Sequence, residues 1–239
     1  MNLYRPEWMK LRLSAYLRAV SGIFISLLSL GILFLFLFQI ESGNGGASDE
    51  ADLFADWNGL LSLTTALSFA CYSVFSAVVA SKVIVSEYCG SNAAILLSCP
   101  VRRTDLFRVK CLLVCGITAV CAWCSNVLII GIMYVTAQIF GTGPQMHAGY
   151  FSMVAAGAGV LMGLLASAVG MLSAFFGYIR RSPTASVVCA VILVCAATNV
   201  IVIAPEHLTG VLLLMAAVFL SITGLILRIM ADHVKQMEV

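Results

Sequence analysis

Every Lys and Arg of this chain falls on one side of a series of six apolar blocks. The blocks run 19–40, 59–81, 111–139, 150–177, 184–204 and 208–227, and none contains Lys, Arg, Asp or Glu. Arg5, Lys10, Arg12 and Arg18 precede the first block, and Lys82, Arg102, Arg103, Arg108 and Lys110 separate the second from the third. Arg180 and Arg181 separate the fourth from the fifth, and Arg228 and Lys235 follow the sixth. The other connections, 41–58, 140–149 and 205–207, hold no basic residue but carry Glu41, Asp49, Glu50, Asp52, Asp56 and Glu206. Short loops rich in Lys and Arg stay in the cytoplasm. The alternation predicts an all-α polytopic membrane protein with six transmembrane helices and both termini cytoplasmic.

Composition points the same way. Apolar residues make up 62% of the chain and charged residues 10%, far from the roughly 45–50% and 25% of soluble domains. Each block has about the 20 residues that cross a hydrocarbon core of roughly 30 Å. The third block is longer, which predicts a tilted helix or one that projects into the cytoplasm. The first block is expected to stay in place as a span, since no convincing small-x-small cleavage site follows it. The stretches between blocks are too short for a separate soluble domain, so 1–239 reads as a single transmembrane domain.

The lead-in 1–18 mixes Tyr4, Trp8, Leu11 and Ala15 on one helical stripe with Arg5, Glu7 and Arg12 towards another. That predicts a short helix along the cytoplasmic headgroups. The outer run from Ser42 to Glu50 is Gly-rich and acidic and reads as a flexible linker. Trp57 is placed to sit at the outer interface where the second span begins.

Several chemistries have no visible machinery. The nine cysteines all lie in spans or cytoplasmic segments, so disulfides are not expected. Cys121-x-x-Cys124 lies in an apolar helix without a His or carboxylate nearby, and reads as helix packing, not a metal or redox pair. His147, His207 and His233 are dispersed. There is no His-Glu-x-x-His pair, no Gly-x-Ser-x-Gly elbow and no phosphate loop. The chain is therefore not expected to be an enzyme, to hold a metal or cofactor, or to bind nucleic acid.

The most organised non-membrane piece is the connection 82–110. The second helix is expected to overrun the bilayer as far as Glu87-Tyr88, with Gly90 as its stop. A short apolar helix over 92–98 should follow, ended by Pro100. Seven apolar residues cannot cross a bilayer, so this piece needs the membrane interface or a partner. The order Glu87-Tyr88-x-Gly90-Ser91, then Leu96-Leu97-x-x-Pro100-Val101-x-Arg103, then Lys110 resembles the same connection in type-2 ATP-binding-cassette (ABC) export permeases. The opening Glu7-x-x-Lys10 is similar to their amphipathic start. Ser91-Asn92 stands where a Thr is more usual, and Cys99 precedes the proline.

That resemblance implies a coupling helix that docks in a groove of a separately encoded ATPase dimer. Glu87, Tyr88, Gly90, Ser91 and Asn92 would form the contact, with Leu96, Leu97, Pro100 and Arg103 as the elbow beneath the bilayer. ATP and Mg2+ would bind the ATPase partner, and a second permease subunit, identical or homologous, would complete the transporter. The cargo class that the resemblance suggests is amphiphilic: an antimicrobial peptide such as a lantibiotic, or a hydrophobic drug. Its place would be the plasma membrane of a bacterium, in contact with membrane lipid.

Inside the spans no ionisable residue appears, which argues against an ion-coupled carrier. The second span is unusually rich in hydroxyls, from Ser62 to Ser76. Tyr72, Ser76, Asn126 and Asn199 are the candidates to face a substrate path, while interhelical hydrogen bonding is the ordinary use of such amides. Gly159, Gly163, Ser167, Gly170 and Gly177 give the fourth span a smooth face for close helix packing. A six-span ABC exporter permease is the reading these features favour. A membrane assembly or sensor protein docking a cytoplasmic partner, and an ion-coupled secondary carrier, are the alternatives.

Overall fold

In hydrocarbon every backbone amide must find its partner inside the protein, which leaves long apolar blocks one simple solution, the continuous helix. A computed structural model of the chain describes residues 13–44, 57–85, 103–140, 148–203 and 208–236. These form six long helices and no strand. They are α1 (Leu13–Asn44), α2 (Trp57–Ala80, prolonged by a π turn at Ser81–Val85), α3 (Arg103–Ile139), α4 (Ala148–Ile179), α5 (Pro183–Ile203) and α6 (Leu208–Gln236). All six are long and apolar enough to cross a membrane, and the chain is a multi-pass membrane protein. The 37 residues of α3 extend about 55 Å, well beyond the roughly 30 Å core.

One expectation about a helix end changes. Ser42, Gly43 and Asn44, read as linker, continue α1. The weak helix propensity of a single Gly costs only about 1 kcal/mol, and the helix already formed before it outweighs that. Trp57 opens α2 as expected, but its ring is half-buried against Ile130 of α3 and Ala155 of α4. The interfacial helix expected over 1–18 lies outside the described residues up to residue 12, and 13–18 form the first turns of α1.

The bundle is organised around α4. About 72% of its span and of the α2 span is buried, against 17% for α1 and 22% for α6. Helix α4 packs against α2, α3, α5 and α6, whereas α1 rests on α2 and α3 at the edge. Glycines make this closeness possible. A Cβ on Gly163 would lie 2.5 Å from the carbonyl oxygen of Ala119 in α3. One on Gly170 would overlap Ser76 of α2, 2.6 Å from its Cβ. The small-residue face expected of the fourth span thus meets other helices of the same chain.

The turn from α4 into α5 is tight and built as a double-bonded helix end. Ser182 N donates to Gly177 O at 3.0 Å, and Arg181 N donates to Tyr178 O at 3.1 Å. This pattern requires a left-handed residue, and Arg181 takes it with φ of 50°. Pro183 then opens α5, where its missing N–H has no bond to lose. Neighbouring helices alternate in direction: Ser76 and Tyr72 of α2 lie opposite Thr118 and Ser125 of α3 respectively. As a result Arg18, Lys82, Arg108, Lys110, Arg180 and Arg181 gather at one end of the bundle, the basic end.

Candidate functional site

Polar side chains buried in a membrane bundle must be bonded, or something must explain why they are not. Along α2 the first three hydroxyls bond to their own helix. Ser62 donates to Gly59 O at 2.8 Å, Thr64 to Leu60 O at 2.8 Å and Thr65 to Leu61 O at 2.5 Å. Such bonds neutralise the hydroxyl without holding a neighbour. Further along the seam between α2 and α3, Ser76 Oγ makes a long contact with Thr118 Oγ1 at 3.5 Å. Thr118 gives its better bond to Val114 O of its own helix, at 2.8 Å.

Between these two regions lies a group of orphaned atoms. Ser68, Tyr72, Ser73 and Asn126 are all buried, and the hydroxyls of the first three complete no hydrogen bond. Tyr72 reaches towards Ser125 of α3 without closing a bond to it. Asn126 is 1% exposed and leaves both its amide nitrogen and its oxygen unpartnered. A fully buried, unpaired amide costs several kcal/mol in apolar surroundings. Two faces of one side chain are thus free to take a partner in the middle of the bundle.

Three of the four proposed path residues come together on this seam. Tyr72, Ser76 and Asn126 are buried between the central helices. Asn199 is not among them. It is exposed on α5, where its amide nitrogen donates to Cys195 O of its own helix at 2.6 Å. Glu87, Tyr88, Gly90, Ser91, Asn92, Leu96, Leu97 and Pro100 lie outside the described residues, and Arg103 is the first residue of α3.

The structure does describe what leads into that segment. The π turn Ser81–Val85 buries Ser81, Val83, Ile84 and Val85 while Lys82 stays exposed. It is packed against α3, α4 and α5 at once. A π turn inserts one extra residue into a helix, and such bulges recur at functional sites. The turn thus ties the end of α2 to three other helices.

Lys110 is the residue that sequence reasoning placed least well. It was counted among the flanking charges, yet it is 2% exposed at the basic end of α3. Lys110 begins a four-residue row of α3, continued by Val114, Thr118, Ala122 and Asn126, in which every residue is buried. Ser186 was also missed: it is buried beneath Gly177 at the start of α5, and its hydroxyl has no partner. Among the described residues no group of three His, Cys, Asp or Glu side chains is placed to hold a metal ion. The seven described cysteines are free, Cys121 and Cys124 included.

No family model matches the chain. It is similar to the uncharacterized protein YcbO of Bacillus subtilis (strain 168), with 25% identity over 199 residues that cover 81% of this chain and 82% of that protein. No solved structure matches it.

Proposed function

We propose that this chain is the permease subunit of an ABC exporter, driven by separately encoded ATPase subunits that bind ATP and Mg2+. Two permeases, with their basic ends in the cytoplasm of a bacterial cell, would form the membrane part. The observation that carries the reading is the π turn Ser81–Val85, wedged among α3, α4 and α5 directly before Glu87. A lever needs a rigid element with two arrangements that a partner can bias. Here the segment that resembles a coupling helix continues from a turn that already grips half the bundle. A push on Glu87 and Tyr88 would reach the seam of Tyr72, Ser76 and Asn126 through α2 itself.

The seam also bears on the cargo. It is polar but uncharged, with hydroxyls and one amide set in apolar walls. Such a lining suits an amphiphile better than an ion, which would need charges or oriented carbonyls.

The test is co-purification of the full chain with its cellular partners, followed by identification of what is bound. An ABC ATPase is expected, and Glu87→Arg should remove it while membrane insertion stays normal. An opposed charge in a buried interface typically costs about 2–5 kcal/mol of affinity. Asp52→Arg, in an acidic connection, should leave the partner bound. Replacement of 87–98 by a flexible linker that left ATPase binding and cargo-stimulated hydrolysis intact would overturn the proposal. Recovery of a different cytoplasmic protein would favour an assembly or sensor role.

A further inference from the structure

At the basic end, a groove of about 410 Å³ lies between α1 and α3 with α2 as its floor. Leu17 and Val20 form one wall, Leu112, Gly116 and Val120 the other, and Phe75 lies at the bottom. Leu17, Leu112 and Val120 are all well exposed, so the groove opens sideways to whatever surrounds the bundle. From Leu112 to Cys121 it runs about 14 Å along α3, close to half of the roughly 30 Å hydrocarbon core. Its length is that of one leaflet.

Gly116 holds the groove open. It is exposed on α3, and a Cβ built on it meets nothing within 4 Å. Glycine at the middle of a helix is weaker than alanine by about 1 kcal/mol. The neighbouring helices do not demand that loss, because no close approach occurs here, in contrast to Gly163 and Gly170.

Charge appears at one end only. Arg108 is exposed one turn before Leu112, on the same four-residue row that continues to Gly116 and Val120. Lys82 is exposed about two turns beyond Phe75 on α2, towards the basic end. The lining itself contains no charged side chain. The arrangement is an apolar slot of one-leaflet length with two cations at its mouth.

We propose that this groove binds one anionic phospholipid from the leaflet at the basic end. One acyl chain lies against Leu17, Gly116 and Val120, and the headgroup phosphate meets Arg108 and Lys82. The proposal does not depend on the exporter reading, since any six-span protein with this groove would hold the same lipid. The occupant follows from complementarity. A second protein copy would have to bring its own anion to the mouth and a single chain to the slot, which a phospholipid already combines.

The experiment is native mass spectrometry of the full-length protein, titrated in neutral detergent with phosphatidylglycerol or with phosphatidylcholine of the same chains. One phosphatidylglycerol is expected to bind more tightly than phosphatidylcholine. Each of Arg108→Gln and Lys82→Gln should weaken phosphatidylglycerol about fivefold and leave phosphatidylcholine unchanged, as expected for about 1 kcal/mol per cation near an anionic surface. Gly116→Leu places its Cβ in open space and its side chain in the slot, and should abolish tight binding of both lipids, while Gly157→Leu, exposed and with equally open space at its Cβ on α4, should not. Undiminished lipid binding by Gly116→Leu would overturn the proposal. So would a change of oligomeric state in Gly116→Leu with lipid binding intact, which would make the groove a contact between copies. A melting temperature for Gly116→Leu at or above that of the parent protein separates lost binding from lost folding.

Discussion

Asn126 is the residue on which the interior of this protein turns. Its amide is buried with neither end bonded, and an unsatisfied buried group carries a penalty of about 1–3 kcal/mol per atom group. Leucine has nearly the same shape and no polar atoms. Asn126→Leu should therefore raise thermal stability in detergent by about 1–3 kcal/mol, read as a higher unfolding midpoint. A lower midpoint would mean that a polar partner meets the amide in the folded protein. The sequence marks Asn126, Tyr72 and Ser76 as polar residues in apolar helices, and that mark alone suffices to find them. It does not distinguish them from Asn199, because the lipid outside a membrane protein is as apolar as the core inside. Hydrophobic periodicity then carries no phase, and a lipid-facing amide that bonds its own helix reads like a buried one. Lys110 is the converse case. A Lys beside a span is ordinarily a topology signal, and its burial comes from helix packing that local composition does not show.

At the scale of elements, α4 is held by the absence of side chains. Gly163 and Gly170 let it approach α3 and α2 until backbone and Ser76 fill the space a Cβ would need. Without a hydrophobic force between helices in lipid, such close packing is a main source of association. Gly163→Ala and Gly170→Ala should each destabilise the bundle by about 1–3 kcal/mol, the usual cost of overpacking. Gly157→Ala is exposed with open space around its Cβ and should gain up to about 1 kcal/mol from helix propensity. Thermal unfolding of the three variants in one detergent checks the contrast, and equal effects in all three would remove the packing explanation. The spacing of these glycines is plain in the sequence. Which helices they meet is not, since a smooth face fits a second subunit as well as a neighbour in the same chain.

For the whole molecule, the basic residues of α1 to α4 collect at one end, and the sequence places every remaining Lys and Arg in a connection or terminus of the same parity. In a cysteine-free background, Ser48→Cys should react with an impermeant thiol reagent applied to intact cells, and Ser91→Cys should not. Reversed labelling, or labelling of both, would sink the two-sided arrangement. The alternation makes the helix number legible, because it rests on local composition, and the labelling experiment is what reads the sidedness. The packing order is not legible, since it depends on contacts between helices far apart in the chain. That order has a consequence for how the protein is made. Helices α1 to α3 leave the ribosome first, and the faces of α2 around Ser76 and of α3 around Ala119 that α4 packs against are then uncovered. The fourth helix is the keystone, yet it arrives after half the bundle has entered the bilayer. During that interval the young chain presents to lipid the faces that α4 will later cover. Those faces then depend on the surrounding lipid until α4 seats against them.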